Sequence, residues 1–76
     1  MGRDKEFLDG YLIVELNSFC IEKFINLAYN NGIKLWDINR KDLITVQFKI
    51  SSDDFKKIKK VAKITNSKIK IVQKKD

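Results

Sequence analysis

Four short segments of this chain carry apolar residues in patterns typical of β-strands. The third is the clearest: from Ile44 to Ile50 the even-numbered residues are apolar and the odd-numbered ones are polar. That period of two indicates a strand with one buried face. The other three are short runs rich in aliphatic and β-branched residues, bounded by Gly, Asn, Asp and Ser. The sequence predicts strands over residues 11–16, 33–39, 43–50 and 68–72.

Apolar residues recur at helical spacing between the first and second strands. In residues 19–30 they occupy positions i, i+3, i+4 and i+7, namely Ile21, Phe24, Ile25 and Ala28. Asn17 and Ser18 are candidate N-caps for this helix. The sequence Asn30-Asn31-Gly32 is typical of a helix end, because Asn and Gly tolerate the left-handed conformation.

A second helix is predicted to begin at residues 51–54. Ser51 and Asp54 have the spacing of a capping box, and the aspartates complement the positive end of the helix dipole. One apolar stripe follows, formed by Phe55, Ile58, Val61 and Ala62, and lysines cover the remaining surface. This helix connects the third strand to the fourth.

The order of elements is therefore β-α-β-β-α-β. Right-handed crossovers and a central hairpin make the economical arrangement a four-stranded antiparallel sheet with both helices on one face. This is the ferredoxin-like split βαβ fold of the α+β class. We predict a loose leader over residues 1–9, one domain over residues 10–73 and a basic tail over residues 74–76.

If both helices cover one face of the sheet, the other face is open to a partner. We expect Leu12, Val14 and Leu16 to face the helices. This leaves Tyr11 and Ile13 on the open face.

The facing of the second strand is ambiguous because apolar residues lie on both of its sides. If Ile33 and Leu35 face the helices, Trp36 and Ile38 join the first-strand residues on the open face. Such an apolar patch marks a contact with a protein partner or a second copy of the chain. The candidate contact residues are Tyr11, Ile13, Trp36 and Ile38. In the alternative, the strand faces the other way and Trp36 lies in the core.

The net positive charge of +6 comes entirely from the last third of the chain. Residues 1–48 carry six basic and seven acidic side chains, whereas residues 49–76 carry ten lysines and three aspartates. This asymmetry indicates either a solvated face or attraction to an anionic membrane surface. The candidate residues for the anionic surface are Lys56, Lys60, Lys63, Lys74 and Lys75.

The residue types argue against catalysis. The chain has no histidine and one cysteine, Cys20, so it lacks the usual proton shuttle at neutral pH and the common metal ligands. Its four serines all fall at predicted caps or turns. We therefore predict no enzymatic activity, no metal and no cofactor. A single cysteine also fits a reducing compartment.

Nucleic-acid binding is the alternative function, because a basic split βαβ domain is the architecture of RNA-recognition modules. Those modules stack bases on aromatic residues of the central strands, with a basic-Gly-aromatic pattern on the third strand. Here the third strand has no glycine. Its open face offers Thr45 and Gln47, which cannot stack on a base.

Two stretches, Glu22-Lys23-Phe24-Ile25-Asn26-Leu27 and Gly32-Ile33-Lys34-Leu35-Trp36-Asp37-Ile38, carry a family resemblance. It continues through residues 50–58, 61–65 and 68–71. In these stretches the chain resembles the N-terminal domain of the YqfD-type sporulation proteins. It departs from them at Ile21, where relatives often have proline, and at residues 66–67.

The resemblance implies a protein of endospore-forming bacteria that is made during sporulation. Its relatives continue into a transmembrane helix and a larger extracytoplasmic portion. This domain is then expected to be the cytoplasmic part of a cell-membrane protein. Its basic C-terminus would lie beside the membrane, as the positive-inside rule requires. The resemblance carries over no catalytic residues, so we expect an interaction or assembly module.

Overall fold

The computed structural model describes residues 10–75. Its elements are β1 (Tyr11–Asn17), α1 (Ile21–Asn30), β2 (Leu35–Arg40), β3 (Thr45–Ser51), α2 (Ser52–Ile64) and β4 (Lys68–Lys75). The predicted leader, residues 1–9, lies outside the described residues. Among residues 10–75, neither helix has the length and hydropathy of a membrane-spanning segment.

The four strands form one sheet in the order β2-β3-β1-β4, and every neighbouring pair is antiparallel. In β1 the side chains alternate, so that Leu12, Val14 and Leu16 are buried beneath the helices. Their neighbours in the strand face the other side and are half-buried. This arrangement confirms the predicted ferredoxin-like split βαβ fold of the α+β class.

One apolar core lies between the helices and the sheet. Its buried members are Leu12, Val14, Leu16, Ile21, Phe24, Ala28, Ile33, Val46, Phe48, Ile50, Ile58, Val61 and Ala62. Within this core, the rings of Phe24 and Phe48 have their centroids 6.2 Å apart. Such an aromatic pair contributes about 0.5–1.5 kcal/mol beyond the burial of its area. The stripes predicted from periodicity therefore do form the core.

The first helix begins at Ile21, two residues later than predicted. Asn17 is the last residue of β1, and the Ser18 N–H donates to the Ile44 carbonyl at 2.8 Å, which holds residue 18 at the end of the sheet. Cys20 is the N-cap instead, and its N–H donates to the Ser18 hydroxyl at 3.0 Å. The prediction that Asn17 or Ser18 caps the helix was therefore wrong.

The end of α1 is the predicted one, and it explains how Ile33 enters the core. The Gly32 N–H donates to the Tyr29 carbonyl and the Ile33 N–H to the Ala28 carbonyl, both at 3.0 Å. Gly32 has a φ of +73°, so these bonds form a Schellman motif closed by glycine. The motif buries Ile33 before β2 starts at Leu35. The predicted second strand thus began two residues too early.

The capping box of α2 forms only in part. The Ser51 hydroxyl accepts from the Asp54 N–H at 3.1 Å, as the spacing predicted. The Asp54 carboxylate, however, accepts from the Lys34 N–H at 3.2 Å. Asp54 therefore ties the start of α2 to the segment that leads into β2.

The fourth strand is longer than predicted and continues through Lys75. Lys74 pairs with Leu12, and Lys75 pairs with Tyr11. A register shift leaves Val72 opposite no residue of β1, so β4 carries a bulge at that point. Lys74 and Lys75 are consequently strand residues with fixed facing.

Candidate functional site

Tyr11 and Trp36 meet on the open face of the sheet, the face opposite the helices. Their ring centroids are 5.9 Å apart and the ring planes are tilted by 56°. Both side chains are half-buried, and Trp36 lies directly opposite Lys49 of β3, which itself lies opposite Ile13 of β1. Residues directly opposite one another share a face. The indole therefore belongs to the open face and not to the core.

A bulge in β2 determines what lies beside the indole. The pairing with β3 shifts between Trp36 and Asn39, and Asp37 has a φ of +50°, which is uncommon for a residue other than glycine. The bulge leaves Ile38 half-exposed. Ile38 and Ile13 then line one depression of about 350 Å³ on this face.

Lys49 lies at the centre of these residues, and the sequence reasoning did not select it. Its Nζ is 2.6 Å from Asp37 Oδ2 and 5.5 Å from the centroid of the Tyr11 ring. The hydrogen bond to the Asp37 carboxylate raises the pKa of Lys49. The signal available in the sequence was the polar face of the third strand, which carries Lys49 along with Thr45 and Gln47.

We call this set the open-face patch: Tyr11, Ile13, Trp36, Ile38 and Lys49. All four residues predicted as protein contacts lie in it. Lys49 of β3 lies between the two on β1 and the two on β2. The open-face patch presents aromatic and aliphatic surface around one ion pair, that of Lys49 with Asp37. No group of three His, Cys, Asp or Glu side chains within residues 10–75 is placed to hold a metal ion.

The five candidate lysines for an anionic surface do not form one cluster. Lys56, Lys60 and Lys63 lie on one side of α2, at spacings of four and three residues. Lys74 and Lys75 lie at the end of the sheet where α2 begins, since Tyr11 pairs with both Lys75 and Ser51. From Lys56 to Lys63 the helix rises about 10 Å away from that end.

A second set of exposed apolar residues occupies the opposite end of the sheet. Phe19 is 93 % exposed and Leu43 is 86 % exposed. Phe19 and Ile44 line one depression of about 310 Å³ at this end. The sequence reasoning placed Phe19 inside the first helix and so missed its exposure, which follows from the later helix start.

Comparison with known proteins identifies the family to which this chain is similar. The family model described as "Putative stage IV sporulation protein YqfD" matches residues 6–76. No curated protein matches the chain, and no solved structure does. The family match covers nearly the whole sequence, including both the stretch around Trp36 and the lysine-rich helix. The chain therefore belongs to the YqfD family of sporulation proteins.

Proposed function

We propose that this domain is a non-enzymatic interaction or assembly module on the cytosolic side of a membrane-anchored sporulation protein. Membership of the YqfD family supports a role in sporulation. The observation that carries the interaction part is the Tyr11–Trp36 ring pair on the helix-free face. Partly exposed Tyr and Trp side chains are frequent anchors of interfaces, because they bury large apolar areas and keep a polar group at the edge.

The open-face patch is held in place before any partner arrives. Tyr11 is on the central strand β1, Trp36 is on the edge strand β2, and β3 lies between the two strands. The Lys49–Asp37 ion pair, with a nitrogen–oxygen distance of 2.6 Å, links the bulge of β2 to β3. A partner that binds these residues loses little side-chain freedom to order them, and such preorganisation favours affinity.

The lysines support a second contact, with anionic lipid. Each lysine near an anionic membrane surface contributes about 1 kcal/mol of attraction. Lys74 lies opposite Leu12, on the helix side of the sheet, whereas Lys75 lies opposite Tyr11, on the open face. End-on contact reaches Lys74, Lys75 and the start of α2.

The interaction part is tested by affinity purification of the full-length protein from sporulating cells. We compare the wild type with Trp36→Ala and Ile13→Asp, and with Tyr29→Ala as a matched control. Tyr29 is an exposed aromatic on α1, away from the open face. The proposal expects one partner to be lost with the first two variants and kept with the control.

The same interaction is then reconstituted with purified components. The chain has a single tryptophan, so its emission reports directly on Trp36. Binding of the partner should shift that emission, because the half-exposed indole becomes buried. Undiminished capture by Trp36→Ala and Ile13→Asp would refute the open face as the contact.

The lipid part is tested by co-sedimentation with vesicles of anionic and of neutral lipid, at low and high salt. Wild-type chain should bind the anionic vesicles at low salt, and a variant with Lys56, Lys60 and Lys63 changed to Gln should bind more weakly. Equal binding to both kinds of vesicle rejects the anionic contact.

Nucleic-acid binding is the second candidate, and its support is weaker. The Tyr11 and Trp36 rings are tilted by 56°, so they do not present one flat platform for successive bases. A gel-retardation experiment with RNA and DNA distinguishes the candidates. Salt-sensitive retardation that is lost with Trp36→Ala would favour nucleic acid over a protein partner.

A further inference from the structure

The outer edge of β4 is unpaired within residues 10–75. Its one neighbour in the sheet is β1, and the strand order places it at the end. It is eight residues long and contains no proline. A strand edge of this kind presents a row of N–H and C=O groups that another extended chain can pair with.

The opposite edge of the sheet is less suited to pairing. β2 has six residues and is interrupted by the bulge at Asp37, whose φ is +50°. A bulge twists an edge strand away from an incoming partner. In β4 the bulge falls later, at Val72, and leaves residues 68–71 in regular register with β1.

The side chains of this regular segment divide cleanly between the two faces. Lys68 and Lys70 lie opposite Asn17 and Glu15 on the open face. Ile69 and Ile71 lie on the helix side, and Ile71 is 47 % exposed. β4 has no acidic residue. Neither ion pair found among residues 10–75 includes a lysine of this strand.

This charge pattern selects the partner. Two copies of β4 brought together would place lysines beside lysines, which is destabilising across strands. A segment with alternating acidic and apolar residues would instead place its carboxylates beside Lys68 and Lys70 and its apolar side chains beside Ile69 and Ile71. The alternation matches the two-residue period of the strand.

We propose that residues 68–71 of β4 bind an extended partner segment in which acidic and apolar residues alternate, by addition of a strand to the sheet. This contact uses the sheet edge and is independent of the open-face patch. The four lysines of β4 favour an acidic partner. Lys68 and Lys70 lie on the same face of the sheet as the acidic side chains of the added strand. The Ile71 side chain gives that strand an apolar neighbour.

The test uses an eight-residue peptide of alternating valine and glutamate, added to the isotope-labelled chain and followed by amide hydrogen exchange. Alternate N–H groups of an edge strand point outward. We expect exchange to slow at every second residue of 68–71, and binding to weaken as salt is raised. A peptide of alternating valine and lysine should not bind.

The variants compare two changes of equal charge. Lys68→Glu with Lys70→Glu should abolish binding. The control, Lys23→Glu with Lys41→Glu, should change the affinity by no more than about twofold, because both residues are exposed and neither belongs to β4. The milder pair Lys68→Gln with Lys70→Gln should weaken binding roughly threefold to tenfold, the scale of two cross-strand charge pairs.

Three results would overturn the proposal. Equal loss in the control variant would mean that only the net charge attracts the peptide. Protection of the outward amides before peptide is added would mean that the edge is already paired. Self-association of the glutamine variant without altered peptide binding would mean that the lysines act only as guards against edge pairing. Each leaves the open-face contact standing, since neither Tyr11 nor Trp36 is changed.

Discussion

The Ser67 hydroxyl donates a hydrogen bond to the Ser18 hydroxyl at 2.7 Å, joining segments 49 residues apart. Thr65 Oγ1 lies 2.8 Å from Ser67 Oγ and donates to the Val61 carbonyl at 2.8 Å. The Cys20 N–H also donates to Ser18. This cluster of hydroxyl groups ties the start of α1 to the end of α2.

Removing the Ser67 hydroxyl should lower the free energy of unfolding by about 1 kcal/mol, because Ser18 and Thr65 lose a partner in a largely buried cluster. Ser67→Ala is compared with Ser52→Ala by urea unfolding followed by circular dichroism. Ser52 sits in the first turn of α2 and serves as the matched control. Equal losses in the two variants would show that the cluster contributes no stability.

Replacing Gly32 tests the Schellman motif that delivers Ile33 to the core. Gly32→Ala should cost about 1–2 kcal/mol, the penalty of a side chain in the left-handed conformation. Apart from residues 31–33 themselves, no atom lies within 4 Å of the added Cβ, so a clash does not contribute. Gly32→Asn should cost less, because Asn tolerates this conformation. A larger loss for Asn than for Ala would contradict the backbone explanation.

The two faces of the sheet should respond differently to truncation of an aromatic side chain. Phe24 is completely buried, and Phe24→Ala should cost about 3–5 kcal/mol, which is enough to unfold a small domain. Trp36→Ala should cost no more than about 2 kcal/mol and leave the chain folded. Amide spectra and thermal unfolding of both variants check this. An unfolded Trp36→Ala variant would make its loss of partner binding uninformative, and Ile13→Asp then carries that test.

Acid should remove a stabilising contribution from Asp42 at the β2–β3 turn. Hydrogen bonds from the Thr45 side chain and from the Ile44 N–H lower the pKa of Asp42 below its ordinary value of 3.8. A depressed folded-state pKa stabilises the domain above pH 3.8, and this stabilisation is lost as the pH falls through the lower value. The difference in urea midpoint between wild type and Asp42→Asn should therefore shrink below that pH. A difference that stays constant from neutral to strongly acidic pH argues against it.

The order of elements and the core could be predicted from the sequence because both depend on local periodicity. Ile21, Phe24 and Ala28 recur at helical spacing, and Val46, Phe48 and Ile50 recur at strand spacing. Whichever way the elements pack, these stripes must be covered, since apolar surface is expelled from water. The helix ends at Gly32 and Ser51 were likewise readable from residue type.

Helix and strand boundaries were less predictable where a hydrogen bond to a residue distant in the sequence competes with a local hydrogen bond. Ser18 is a good N-cap by residue type, yet its N–H bonds to Ile44, 26 residues later, and the helix starts at Ile21. The bulge at Asp37 arises in the same way. It depends on the register in which β2 pairs with β3, and that register cannot be predicted from the sequence of either segment alone.

The order of residues along the chain is enough to give the α+β fold, the buried stripes and the concentration of lysine in the last third of the chain. It does not give the facing of Trp36, the position of Lys49 between Tyr11 and Asp37, or the spread of the five candidate lysines along α2 and β4. Burial follows from local pattern, whereas the neighbours of an exposed side chain follow from strand register and crossover, which bring distant residues together.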